Sequence, residues 1–104
     1  MIQAIKNLFS GSPRVDLGDL IAKGALIIDV RSIQEFASGH LKNSVNIPLT
    51  NLSGQMAKLN KDKPIITCCA SGMRSSSAKS ILRSNGFQEV HNGGSWQSLK
   101  KYEQ

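Results

Sequence analysis

Two short runs, residues 25–30 (ALIIDV) and 64–68 (PIITC), are apolar or β-branched almost throughout, and helix-forming stretches lie on either side of both. A strand that is apolar on both of its faces belongs inside a layered structure rather than at a half-wet surface, which is the pattern of a parallel sheet covered by helices. The helical stretches carry their own boundaries. Asp16 sits as N-cap with Asp19 in the first turn, Val15 is placed to staple against Leu20, and Gly24 stops the helix. Ser32-Ile33-Gln34-Glu35 is a capping box that opens a helix ending near Gly39. Residues 44–47 read as a brief strand closed by Pro48, and Leu52, Met56 and Leu59 mark one face of a third helix despite Gly54. A longer helix spans 75–85 with Ala78, Ile81 and Leu82 inward; Gly86 fits its C′ position and Phe87 is placed to touch Leu82. Residues 89–91 form a last strand, and after Asn92-Gly93-Gly94 a terminal helix starts at Ser95 with Trp96 and Leu99 inward. Strands alternating with helices require right-handed crossovers, so the expected architecture is a three-layer α/β domain with a mostly parallel central sheet. Ligands of such sheets bind beyond the carboxyl ends of the strands.

A chain of 104 residues supports one core and no second domain. Within it, residues 1–13 read as an amphipathic segment with Ile2, Ile5, Leu8 and Phe9 at helical spacing, broken by Gly11, Ser12 and Pro13 from a body spanning 14–104. Gln3, Lys6 and Asn7 interrupt any signal-peptide core, and no apolar stretch is long enough to span a bilayer. The expectation is a cytoplasmic protein that does not enter a membrane, with a monomer as one state the sequence allows. The net charge of +6 comes from scattered lysines, and with one Trp and one Tyr the chain lacks the basic–aromatic interleaving that stacks bases. Nucleic acid is therefore not an expected partner, and the excess charge reads as a solvated surface with modest steering of anions. The only two cysteines, Cys68 and Cys69, are adjacent and cannot staple distant segments, so both are expected to be free thiols.

The chemistry concentrates in Cys69-Ala70-Ser71-Gly72-Met73-Arg74-Ser75. A cysteine between a buried strand and a helix start faces converging backbone N–H groups and the positive end of the helix dipole, both of which favour the nucleophilic thiolate. Gly72 permits a positive φ, Arg74 brings a planar donor fork, and the hydroxyls of Ser71 and Ser75 can donate further hydrogen bonds. Ala70, Ser71, Gly72, Met73, Arg74 and Ser75 are thus the candidate substrate-binding residues around Cys69 as candidate nucleophile.

This loop, of the form C-x-x-G-x-R-S, resembles the active-site loop of rhodanese-type sulfurtransferases. Asp29-Val30-Arg31 with Glu35-Phe36 resembles that family's D-V-R…E-F segment, and Gly39-His40-Leu41 with Asn46-Ile47-Pro48 its G-H-I…N-I-P segment. Gly86-Phe87, Val90 and Gly93-Gly94 resemble the close of the domain. The resemblance implies a rhodanese-like fold and transfer of sulfane sulfur through a Cys69 persulfide, from thiosulfate or a similar small anionic donor to cyanide, a thiol or a protein acceptor. It implies no metal or organic cofactor. One departure is Cys68, where the family commonly has an aromatic residue.

The twin cysteines leave a second register open. Counted from Cys69, Arg74 completes C-x4-R; counted from Cys68 it completes C-x5-R, the wider loop of cysteine phosphatases and arsenate reductases. Strand alternation puts the two thiols on opposite faces, so only one faces the pocket. Thr67, rather than the His common in phosphatase loops, precedes Cys68, and sulfur transfer is the preferred reading. A third possibility is a sulfur-carrier or docking module that turns over only with a partner protein. Among supporting residues, Asp29 can orient the site through a loop amide or Arg31, or cap the next turn. Arg31 is expected to pair with Glu35, and Glu35 to serve as the capping-box acid rather than a catalytic base. His40 is expected to bond backbone, and His91 has no partner legible in the sequence. Two histidines beside adjacent cysteines make no sensible zinc set.

Overall fold

The computed structural model describes residues 15–103, so the amphipathic segment 1–13 and the boundary at residue 14 lie outside the described residues. Four strands, β1 (Leu26–Asp29), β2 (Val45–Asn46), β3 (Ile65–Cys69) and β4 (Val90–Ser95), form one sheet in the order β2-β1-β3-β4. Every neighbouring pair is parallel. Around them lie α1 (Leu17–Ala22), α2 (Ile33–Ala37), a short α3 (Leu52–Gln55) flanked by single 3₁₀ turns, α4 (Met73–Ser84) and a terminal 3₁₀ segment, Trp96–Tyr102. β1 and β3 are the central strands, and all five residues of β3 are buried, as an apolar run predicts.

Several boundaries follow from the side chains that set them. Asp16 accepts the Asp19 N–H at 3.0 Å and caps α1, while Val15 stays exposed. The Ser32–Glu35 capping box is complete in both directions. At the end of α4, Phe87 N–H donates to Leu82 O (3.1 Å) and Gly86 N–H to Arg83 O (3.2 Å), the paired bonds of a Schellman motif. Four elements differ from the sequence reading, one of them the terminal helix expected from Ser95, which is 3₁₀ over Trp96–Tyr102. α4 begins at Met73 rather than Ser75, because Gly72 at φ +105° supplies the entry turn. The Leu52–Leu59 stretch breaks into α and 3₁₀ turns, although Leu52 is still buried and Met56 and Leu59 pack on the same core. β4 runs on through Asn92-Gly93-Gly94 to Ser95, where the sequence suggested a loop. Gly93 is what lets it pass: a Cβ there would lie 2.8 Å from Ile66 Cγ2 and 3.1 Å from Thr67 O.

The sheet separates two apolar layers. Ile65 and Cys69 join Ile28, Val30, Ala78 and Leu82 on the α4 side, while Ile66 and Cys68 join Ile27, Leu41 and Leu99 on the other. Consecutive residues of β3 thus alternate between layers, as the two-residue repeat of a strand demands.

At the carboxyl end of β1 a buried ion pair ties the layers to the loops. Arg31 Nη2 lies 2.7 Å from Asp29 Oδ2, and Arg31 Nε donates to Asp29 Oδ1 at 2.9 Å. Arg31 N–H also donates to Asp29 Oδ1 (3.0 Å), so the carboxylate caps the turn and holds the guanidinium together. The expected Arg31–Glu35 pair does not form: Arg31 reaches only the Glu35 main-chain oxygen (3.3 Å) and that of Gly39 (2.8 Å). Its guanidinium carbon stands 4.8 Å from the Trp96 ring centroid, and Asn46 Nδ2 donates to the carbonyls of Asp29 and Arg31. Removing one partner of such a pair strands the other's charge. Arg31→Ala is expected to destabilise the fold by about 3–5 kcal/mol, read as a lower urea midpoint at an unchanged denaturant slope.

Candidate active site

β3 ends at Cys69 and α4 begins four residues later, so the Ala70–Gly72 turn is bent around the end of a fully buried strand. Gly72 adopts the left-handed conformation, and a Cβ on it would stand 3.5 Å from the Gly94 Cα. The first-turn N–H groups of a helix have no carbonyl within the helix to bond. Here they find a sulfur atom. Cys69 Sγ accepts the Gly72 N–H at 3.0 Å and the Ser75 N–H at 3.4 Å, and the Ser75 hydroxyl lies 3.4 Å away. Because α4 starts at Met73, Ser75 falls in its first turn, where its N–H is free to point at that sulfur.

Burial opposes ionisation of the Cys69 thiol. The Ser75 hydroxyl and the N–H groups of Ser75, Gly72 and Ser71 outweigh it and hold the pKa below the ordinary thiol value. Cys68 stands in the opposite situation. Burial among apolar side chains, with the Asp29 carboxylate nearby, pushes its thiol up to about 12 despite Arg31. Both cysteines are free and fully enclosed, yet only Cys69 has hydrogen-bond donors aimed at it.

Of the other residues singled out by sequence, Ala70 and Ser71 are exposed in the turn, and Met73 stands 78% exposed at its lip. Arg74 does not hold its donor fork open as expected. Its Nη1 and Nη2 lie 2.7 and 3.0 Å from Glu35 Oε1 and Oε2, a two-point ion pair joining the first turns of α2 and α4. Glu35 keeps its capping role at the same time, accepting the Ser32 N–H at 2.9 Å. Arg74 and the Ser32 amide hold the Glu35 carboxyl down at about 2. His40 Nδ1 lies 2.8 Å from Phe36 O and its ring stacks on that of Phe36, the backbone role expected for it. His91 lies 2.8 Å from Glu89 on the β4 side. No group of three metal-ligating side chains occurs among the described residues, and no helix there is long and apolar enough to cross a membrane.

Two organising residues escaped the sequence reading. Asn92 Oδ1 accepts the Ser75 hydroxyl (2.6 Å) and the Gly94 N–H (2.9 Å), while its Nδ2 donates to Gly72 O (3.1 Å). One side chain on β4 thereby fixes both ends of the cup. Thr67 Oγ1, buried on β3, donates to Ser75 O at 2.8 Å and anchors the same turn from below. Neither residue belongs to a local motif. A polar side chain two residues upstream of Cys69, on its face of the strand, is the one hint the sequence holds.

Comparison with known proteins gives the family. A family model described as "Rhodanese-like domain" matches residues 14–101. The Bacillus subtilis (strain 168) protein YqhL is 40% identical over 68 residues, covering 65% of this chain and 54% of that protein. Thiosulfate sulfurtransferase GlpE of Pseudomonas savastanoi is 36% identical over 69 residues, covering 66% of this chain and 65% of its own. The alignments thus span somewhat more than half of these relatives. Among solved structures, human single-domain sulfurtransferase TSTD1 superposes with a TM-score of 0.72 at 27% identity, covering 85% of this chain and 92% of that one.

The contrast between the two thiols gives a direct test. With iodoacetamide at neutral pH, peptide mapping is expected to find Cys69 alkylated and Cys68 spared. As pH falls the Cys69 rate is expected to persist below the ordinary thiol range, because a depressed pKa keeps thiolate present there. Ser75→Ala removes the hydroxyl that lies beside the sulfur and through which Asn92 fixes the first turn of α4, and is expected to shift that profile toward higher pH.

Proposed function

Since the chain belongs to the rhodanese-like family, we propose that it is a sulfurtransferase that carries sulfane sulfur as a persulfide on Cys69. In the first half-reaction the Cys69 thiolate attacks the outer sulfur of thiosulfate or a similar donor. The donor's S–S bond breaks, its electron pair leaves with sulfite (or with a thiolate, for an organic donor), and a Cys69 Sγ–S bond forms. In the second half-reaction cyanide, a thiol or a protein acceptor attacks the outer sulfur, and Cys69 returns as thiolate. Atoms and charge balance without an external oxidant, and the two steps predict ping-pong kinetics.

The observation that carries this reading is the convergence of N–H groups on one sulfur. Gly72 N–H at 3.0 Å and Ser75 N–H at 3.4 Å, with the start of the twelve-residue α4 behind them, favour the thiolate. The same dipoles suit the charge of a persulfide one bond further out. No general base is required, since the attacking species is already ionised. The competing C-x5-R register needs Cys68 in the cup. Cys68 lies instead in the layer with Ile27, Leu41 and Leu99, its thiol pushed up to about 12, which argues against phosphoryl or arsenate chemistry.

Incubation with thiosulfate followed by intact-mass measurement tests the proposal. Wild type and Cys68→Ala are each expected to gain one sulfur atom that cyanide removes, and Cys69→Ala to gain none. Sulfur taken up by Cys69→Ala but not by Cys68→Ala would reverse the assignment.

A further inference from the structure

Both arginines that follow the carboxyl ends of the central strands are already paired with carboxylates. Arg31 is held by Asp29 through three nitrogen–oxygen contacts of 3.0 Å or less. Arg74, the residue that would otherwise meet an incoming oxyanion, is engaged at two points by Glu35. This second pair is built rather than incidental. Glu35 is fixed beforehand, because its Oε1 accepts the Ser32 N–H in the capping box while both of its oxygens face Arg74. A carboxylate that is already oriented loses little side-chain freedom when it pairs. What attracts an anion to Cys69 is then mainly main-chain N–H groups and the end of α4, dipoles sized for one sulfur and not for a multiply charged group.

We infer that Glu35 is a positioning residue that sets donor specificity: by occupying Arg74 it turns the cup away from dianionic thiosulfate and toward organic persulfides, R–S–SH. This deepens the sulfurtransferase reading and rests on it. With such a donor the Cys69 thiolate attacks the terminal sulfur, the R–S–S bond breaks, the electron pair leaves on R–S⁻, and Cys69–S–SH forms. The neutral donor brings in no charge, and the single negative charge, on the Cys69 thiolate at the start, leaves on R–S⁻. With thiosulfate, two charges on the donor must approach a thiolate while the nearest guanidinium is neutralised, so like-charge repulsion is only partly offset.

The test compares thiosulfate with the persulfide of N-acetylcysteine methyl ester, which carries no charge outside its sulfur. In Glu35→Gln the cap oxygen is kept and the charge on Arg74 is released. The thiosulfate KM is expected to fall roughly three- to fivefold, the range open to a half-exposed pair, with kcat within twofold and the persulfide KM unchanged. In the Arg74→Gln background the same substitution is expected to do nothing to the thiosulfate KM, since the effect is routed through that guanidinium. A purely structural role for Glu35 would move both donors together. Glu35→Ala, which releases Arg74 without retaining the cap, serves should Glu35→Gln fail to fold. A folded variant with an unchanged or raised thiosulfate KM, or with equal gains for both donors, overturns the inference. If Cys69 takes sulfur from neither donor, the sulfurtransferase reading has failed, and sulfite affinity measured by calorimetry on Cys69→Ala still decides this one. Tighter sulfite binding on adding Glu35→Gln upholds the release of Arg74, and no change refutes it.

Discussion

The Sγ of Cys69 occupies the point where a buried strand gives way to the N-terminus of α4, and the other features of the site are arranged about that junction. β3 delivers the sulfur at a fixed height, Gly72 turns the chain back through a left-handed conformation, and the first turn of α4 presents N–H groups that its own helix cannot satisfy. Burial alone would keep this thiol protonated. Converging donors reverse that preference at a position that is wholly enclosed, and the chemistry follows from the reversal.

Adjacent cysteines make the sorting power of a strand visible. Cys68 and Cys69 share a sequence environment and almost a backbone position, yet one residue of offset sends their side chains into opposite layers. Cys68 has apolar neighbours and an elevated pKa; Cys69 has amides and a depressed one. The departure from the family's usual aromatic residue at position 68 therefore leaves the cup untouched, since that position faces the layer formed with α1 and the terminal 3₁₀ segment.

The polar side chains around the loop form a frame that holds it without leaving bare charge. Asn92 and Thr67 fix the main chain of the cup, Asp29 secures Arg31, and Glu35 secures Arg74. The proposed persulfide is a small, diffuse anion, and oriented dipoles at hydrogen-bond distance suit it better than a free guanidinium would. The Arg74–Glu35 pair also joins the segments that follow β1 and β3, so the contact that moderates the charge of the site ties those segments together.

Most of the architecture is legible in the chain, because it rests on periodicity and caps that act within a few residues. The apolar runs of β1 and β3, the Ser32–Glu35 box, the Schellman close at Gly86-Phe87 and the placement of Cys69 at a strand end all belong to that class. The extension of β4 through Asn92-Gly93-Gly94 does not, since its cause is a close approach to Ile66 and Thr67 that no local window contains. Nor do the pairings. Local spacing favours Arg31 with Glu35, four residues apart; Asp29 instead takes Arg31 from two residues away, one of the roles the sequence offered it, and only folding carries Arg74 across 39 positions to Glu35. Sequence by itself determined the layers, the loop and the place of Cys69 at the end of a strand, because strand alternation and helix capping are short-range. Only the tertiary structure decided that Glu35 neutralises Arg74 and which side chains brace the cup, because those choices depend on distances between segments that meet only after the sheet is assembled.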